Sequence, residues 1–95
     1  MLYWVIYDIG SNKSRTKVSN ACKNYGLIRA QKSVFIGGLT KNRAEMLAMT
    51  VKEILGDSKD AVFLLPQCES CFASKIIEGK LDEESVRKKD YLFLG

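Results

Sequence analysis

Leu2-Tyr3-Trp4-Val5-Ile6-Tyr7-Asp8-Ile9-Gly10-Ser11-Asn12 is the stretch on which the fold turns. Residues 2–7 are apolar without a break and rich in aromatic and β-branched side chains. Such a run marks a strand buried on both faces, hence central in a sheet. Residues 8–12 then bring a carboxylate, a glycine, a hydroxyl and an amide, the groups of turns and helix N-caps. A helix is expected from about Lys13 to Tyr25, because Val18, Ala21, Cys22 and Tyr25 recur at i, i+3, i+4 and i+7 on one stripe. Gly26 is placed to end it, since glycine takes the left-handed backbone that closes a helix.

Outward from this unit, Leu27 to Leu39 predicts two short strands with a bend near Lys32. Thr40 is the expected N-cap of a second helix over Lys41–Leu55, with Ala44, Leu47, Ala48, Val51, Ile54 and Leu55 on its apolar stripe and Gly56 as its stop. Met46 and Met49 are expected at the edge of the core. Asp60–Leu65 reads as another buried strand, closed by Pro66. Residues 78–90 are mostly charged, and Tyr91-Leu92-Phe93-Leu94 is a last short apolar strand. That strand needs an edge to pair with, in its own sheet or in that of a second protomer.

The order β-α-β-β-α-β predicts a ferredoxin-like α+β fold: an antiparallel sheet with both helices on one face, plus an extra C-terminal strand. Residues 1–95 make one domain, with 79–95 as tail and C-terminal strand. The fold hosts many activities, so function has to be read from residues.

Composition excludes several classes. The 95 residues are 46% hydrophobic and 27% charged, as in an ordinary globular protein and unlike a disordered or collagenous chain. No apolar run approaches the roughly 18 residues of a membrane helix. The opening lacks the basic region and cleavage site of a secretory signal, so a cytoplasmic protein without a membrane partner is expected. There is no histidine, which removes serine–histidine and cysteine–histidine nucleophiles and a histidine general base. Three cysteines do not suggest a secreted disulfide scaffold. Cys68-Glu69-Ser70-Cys71 is a single C-x-x-C. Zinc would want further ligands, and a redox role wants the motif at a helix start, so packed thiols or a local disulfide is the simpler reading. Tyr3, Trp4 and Tyr7 could stack on bases, but their place in an apolar strand favours core.

Charge is uneven. Residues 1–44 hold eight basic side chains and a single acid, Asp8, whereas residues 45–95 hold seven basic and ten acidic. A basic half suggests an anionic partner, nucleic acid first. Lys13, Arg15 and Lys17 begin the first helix, where cations oppose the macrodipole; either they make a phosphate site with the helix amides or they are simply solvated. Asp8 either accepts turn N–H bonds or binds a metal. Mg²⁺ manages with one or two carboxylates, waters and substrate phosphates. A two-fold dimer could bring two copies of Asp8 together, and a cation there would acidify water for attack on a phosphodiester without histidine. Arg15, Lys17 and Arg29 could then hold phosphates.

Three segments together carry a resemblance: Tyr7-Asp8-Ile9 ahead of Asn12-Lys13-Ser14-Arg15-Thr16-Lys17, then Tyr25-Gly26-Leu27-Ile28-Arg29-Ala30-Gln31-Lys32-Ser33-Val34-Phe35, then Leu65-Pro66-Gln67-Cys68. The chain resembles, over its whole length, the small CRISPR-associated endonuclease family of spacer acquisition ("Cas-two"). The resemblance implies a ferredoxin-like homodimer with C-terminal strands crossing to the partner's sheet. It implies metal-dependent cleavage of RNA or DNA with Asp8 as the Mg²⁺ ligand. It implies a complex with the CRISPR integrase ("Cas-one"), in which the dimer bridges integrase dimers and holds duplex DNA. Tyr7 is expected in catalysis, Arg15, Lys17, Arg29 and Lys13 on nucleic acid (duplex DNA, or single-stranded RNA), and Phe35 and Ser33 in shaping the site. Lys17 stands where many members carry arginine, and Gly10-Ser11 replaces a commoner Ser-Asp pair, so a second acid near the site is missing. Two alternatives stand beside the nuclease: a non-catalytic DNA-holding bridge, and a stand-alone VapD-like ribonuclease toxin.

Overall fold

A computed structural model describes residues 1–73. The elements run β1 (Leu2–Asp8), α1 (Asn12–Asn24), β2 (Ile28–Gln31), β3 (Val34–Gly38), α2 (Lys41–Leu55), β4 (Ala61–Gln67) and α3 (Glu69–Ala73). The sheet order is β2-β3-β1-β4 with every neighbouring pair antiparallel. This is the ferredoxin-like βαββαβ arrangement. The expected charged stretch and C-terminal strand lie outside the described residues. No helix among the described residues is long and apolar enough to cross a membrane.

The helix boundaries follow from local chemistry. Ser11 caps α1 by accepting the Ser14 N–H, and Thr40 caps α2 by accepting the Arg43 N–H. Gly26 at φ +82° ends α1. Both helices lay their stripes on one face of the sheet. Val18, Ala21 and Cys22 of α1 and Ala44, Leu47 and Val51 of α2 close over Val5, Tyr7 and Phe35. A Cβ on Gly37 would come within 2.8 Å of the Leu27 side chain and 3.2 Å of its Cα, so β3 can pass beneath the α1–β2 loop only as glycine.

Four expectations change. β1 is central but not buried on both faces: Ile6 stays 37% exposed on the face away from the helices. Among the described residues β4 is an edge strand, not a central one, and Phe63 and Leu65 are about half exposed on that same face. Pro66 lies inside β4 rather than ending it, at a position that proline can take on an edge strand. Met46 and Met49 are solvent-exposed rather than at the core edge. The buried stripe of α2 runs through residues 44, 47 and 51, and positions 46 and 49 are turned more than a right angle away from it.

The short α3 was not anticipated. Its Phe72 is fully buried against Leu2 and Ile36 on the face opposite α1 and α2, with its ring 6.3 Å from that of Trp4. Trp4 Nε1 also donates to Gln67 Oε1 at 2.6 Å. α3 thus covers one end of that face and leaves Ile6, Phe63 and Leu65 at the other end exposed.

Candidate functional site

Strand alternation splits the residues around Asp8 between two faces. Tyr7 points to the helices and is buried. Asp8, one step on, projects with Ile6 to the face opposite α1 and α2 and is exposed. Asp8 pairs in register with Ala61, the first residue of β4. The residue before it, Asp60, accepts the Gly10 N–H on Oδ1 at 3.2 Å and ties down the loop that follows Asp8. A second acid therefore stands at this loop, supplied from across the sheet. Among the described residues no group of three or more Asp, Glu, Cys or His side chains comes together, so one protomer offers Asp8 alone with Asp60 behind it.

On the helix side, α1 and the β2–β3 turn enclose a groove of about 480 Å³. Arg15, Lys23, Arg29 and Lys32 supply its charge, and Tyr7, Asn12 and Ser33 are among its other walls. Arg29 is held in place: its guanidinium donates to the Lys32 carbonyl at 3.0 Å and to the Ser19 hydroxyl at 2.7 Å, and lies 5.0 Å over the Phe35 ring. Two donors are used, and a guanidinium has five, so a forked face remains for an anion. Phe35 in turn stacks on Tyr7, ring centroids 6.3 Å apart and planes at 22°.

Burial of the Tyr7 ring raises its phenol pKa above the ordinary value, against the pull of Arg29 and Arg15. The Tyr7 hydroxyl faces the Lys32 carbonyl at a long 3.4 Å. At neutral pH this group is a phenol that can donate a hydrogen bond. It is not a base.

The structure thus gathers Tyr7, Arg15, Arg29 and Ser33 into one groove, with Phe35 beneath Arg29. Lys13 and Lys17 do not line it. They sit one residue round the helix from Asn12 and Thr16, which do line it, and both are exposed. Lys23, Lys32 and Ser19 were missed as site residues. The spacing of Asn12, Thr16, Ser19 and Lys23 along α1 was a signal that could have found that wall. Asp60 carried no comparable signal, because its partner is fifty residues away.

Residues 1–75 match the family model described as CRISPR associated protein Cas2. The chain is 34% identical over 94 residues to a CRISPR-associated endoribonuclease Cas2 of Archaeoglobus fulgidus, covering 99% of this chain and all of that one. It is 42% identical over 52 residues to a Cas1/Cas2 endonuclease fusion of Thermoproteus tenax, covering half of this chain and 20% of that one. A crystal structure of a hypothetical protein of Thermus thermophilus superposes with a TM-score of 0.64 at 36% identity, over 70% of this chain and 79% of that one.

Proposed function

The chain belongs to the CRISPR-associated Cas2 family, and from that premise we propose that it is a metal-dependent endonuclease acting as a two-fold homodimer in spacer acquisition. One observation carries the reading: Asp8 projects onto the face opposite α1 and α2, which also bears Ile6, Phe63 and Leu65, large apolar side chains left exposed in the single chain. A two-fold partner laid on that face buries them and brings a second Asp8 toward the first.

The donor set suits Mg²⁺ in such a pair. Asp8 is an exposed, hard oxygen ligand, and two carboxylates with waters and phosphate oxygens are what this ion uses. When bound, Mg²⁺ supplies positive charge at the phosphoryl oxygens and lowers the pKa of water. The protein's own groups do the remaining work. Arg15 and Arg29 hold substrate phosphates in the groove, with Lys13 and Lys17 widening the basic rim. Asp60 fixes the loop after Asp8. Tyr7 stays protonated and stacks on Phe35, which with Ser19 and the Lys32 carbonyl holds the Arg29 guanidinium, while Ser33 shapes the groove wall.

The fused relative supports association with Cas1, the CRISPR integrase; in that complex we place the dimer between integrase dimers, holding duplex DNA. The relatives' name, endoribonuclease, supports RNA as a further substrate, and single-stranded RNA is the form proposed. A second reading, the non-catalytic bridge, is favoured by one feature: the phosphate groove and Asp8 lie on opposite faces of β1.

The test is cleavage of labelled single-stranded RNA and duplex DNA by the wild type and Asp8→Ala, with Mg²⁺ and with EDTA. Cleavage that needs both Mg²⁺ and Asp8 is expected. A folded dimer that binds duplex DNA but cuts neither substrate would overturn the nuclease and leave the bridge.

A further inference from the structure

Cys68 and Cys71 do not line the basic groove and are not among the Asp8-side groups that the reading above uses. They sit at the junction of β4 and α3, both exposed. The Cys71 N–H donates to Cys68 Sγ at 3.4 Å, so that sulfur already lies over the backbone of its neighbour. Ser70 Oγ is 3.2 Å from the same sulfur. The segment is fastened at both ends, by Gln67 to Trp4 on one side and by buried Phe72 on the other. This is strand, then C-x-x-C, then helix, the context absent from the sequence reading.

We propose that Cys68 and Cys71 form a thiol–disulfide exchange site for low-molecular-weight disulfides, with Cys68 as the attacking thiolate and Cys71 as the resolving thiol. Hydrogen bonds from Ser70 and Cys71 bring the Cys68 pKa down to about 7, and the same pairing raises that of Cys71. The roles follow from these opposite shifts, because the thiolate is the nucleophile. Cys68 Sγ⁻ attacks one sulfur of RS–SR, an S–S bond forms, and RS⁻ leaves and takes a proton from water. Cys71 gives its proton to solvent and attacks Cys68 Sγ, and the second RS⁻ leaves and is protonated. The two protein thiols lose two electrons to the small disulfide, which becomes two thiols. Cys22 takes no part: it is fully buried, and desolvation pushes its pKa up to about 11.

The test uses the full chain, reduced, then incubated with oxidised glutathione and mapped by mass spectrometry after alkylation. The expected product is a Cys68–Cys71 disulfide with Cys22 still a thiol. Cys71→Ser should trap one glutathione on Cys68. Competitive alkylation of the folded wild type at pH 7 should label Cys68 about fivefold faster than Cys71, the gain in thiolate being partly offset by lower nucleophilicity. Circular dichroism checks that the variant is folded. A wild type that accumulates glutathione adducts without closing the disulfide, or that labels Cys71 first, would overturn the proposal, as would no reaction at either thiol.

Discussion

Arg29 on β2 donates to the hydroxyl of Ser19 on α1 at 2.7 Å, and Ser19 is the one buried polar side chain among the described residues. The bond fixes a guanidinium at the mouth of the basic groove, so stability and anion binding should respond together. Ser19→Ala is expected to cost about 1 kcal/mol in urea unfolding and to weaken duplex DNA binding. Arg29→Ala should lower the slope of log affinity against log salt by about one. Fluorescence anisotropy across a salt series reads both; an unchanged slope would remove Arg29 from the phosphate contacts.

Asp60 acts on the site through the Gly10 amide. Asp60→Ala frees an exposed loop N–H and should cost about 0.5 kcal/mol, while slowing cleavage without changing affinity for RNA or DNA. Asp60→Asn keeps a carbonyl acceptor and should restore the rate. Failure of the asparagine to rescue would mean that the charge matters, not the tether.

Cys22 makes the fold sensitive to alkali. Burial lifts its folded pKa to about 11 from an ordinary value of 9.0. Between those values the unfolded chain has lost the proton and the folded chain keeps it, so the contribution is complete below pH 9 and declines toward pH 11. Two units correspond to about 3 kcal/mol. Cys22→Ala should be less stable than the wild type at pH 7 by about 1–2 kcal/mol, and that gap should close or reverse by pH 11. Denaturant melts of both proteins across this range check it; a constant gap would contradict the linkage.

Phe63 is 54% exposed and lies opposite Ile6 in the β1–β4 ladder. Phe63→Lys places a charge on the face assigned to the dimer while removing little from the single chain's own core. The variant should sediment as a monomer with an unchanged circular dichroism spectrum. A dimer that persists at micromolar concentration would show that this face is not the contact.

The Thr40 cap, the glycine stops and the bend near Lys32 are legible in the sequence, and the Ser11 cap falls within the cap-forming residues 8–12, because each depends on residues within a few positions of one another. The position of β4 was not. Val62 and Leu64 reach the core and Phe63 does not, but an apolar run looks the same on an edge strand as in the middle of a sheet. The C-x-x-C was read without its helix, since five residues with one buried Phe72 carry no helical periodicity.

The site divides along the same line. Tyr7-Asp8 at a strand end, and a helix opening with Lys13, Arg15 and Lys17, are sequence facts, because strand alternation and helix capping are set by the local backbone. Which cations share a groove depends on α1 lying beside the β2–β3 turn, and that brought in Lys23 and Lys32 while leaving out Lys13 and Lys17. The bond from Gly10 to Asp60 needs β4 to pair with β1. The sequence alone determined β1 to β4, α1 and α2 with their order, and the lone acid in a basic half. Only the tertiary structure decided which face Asp8 shares and what fastens its loop, since contacts between residues fifty positions apart arise from how the sheet is ordered and leave no periodic trace in the chain.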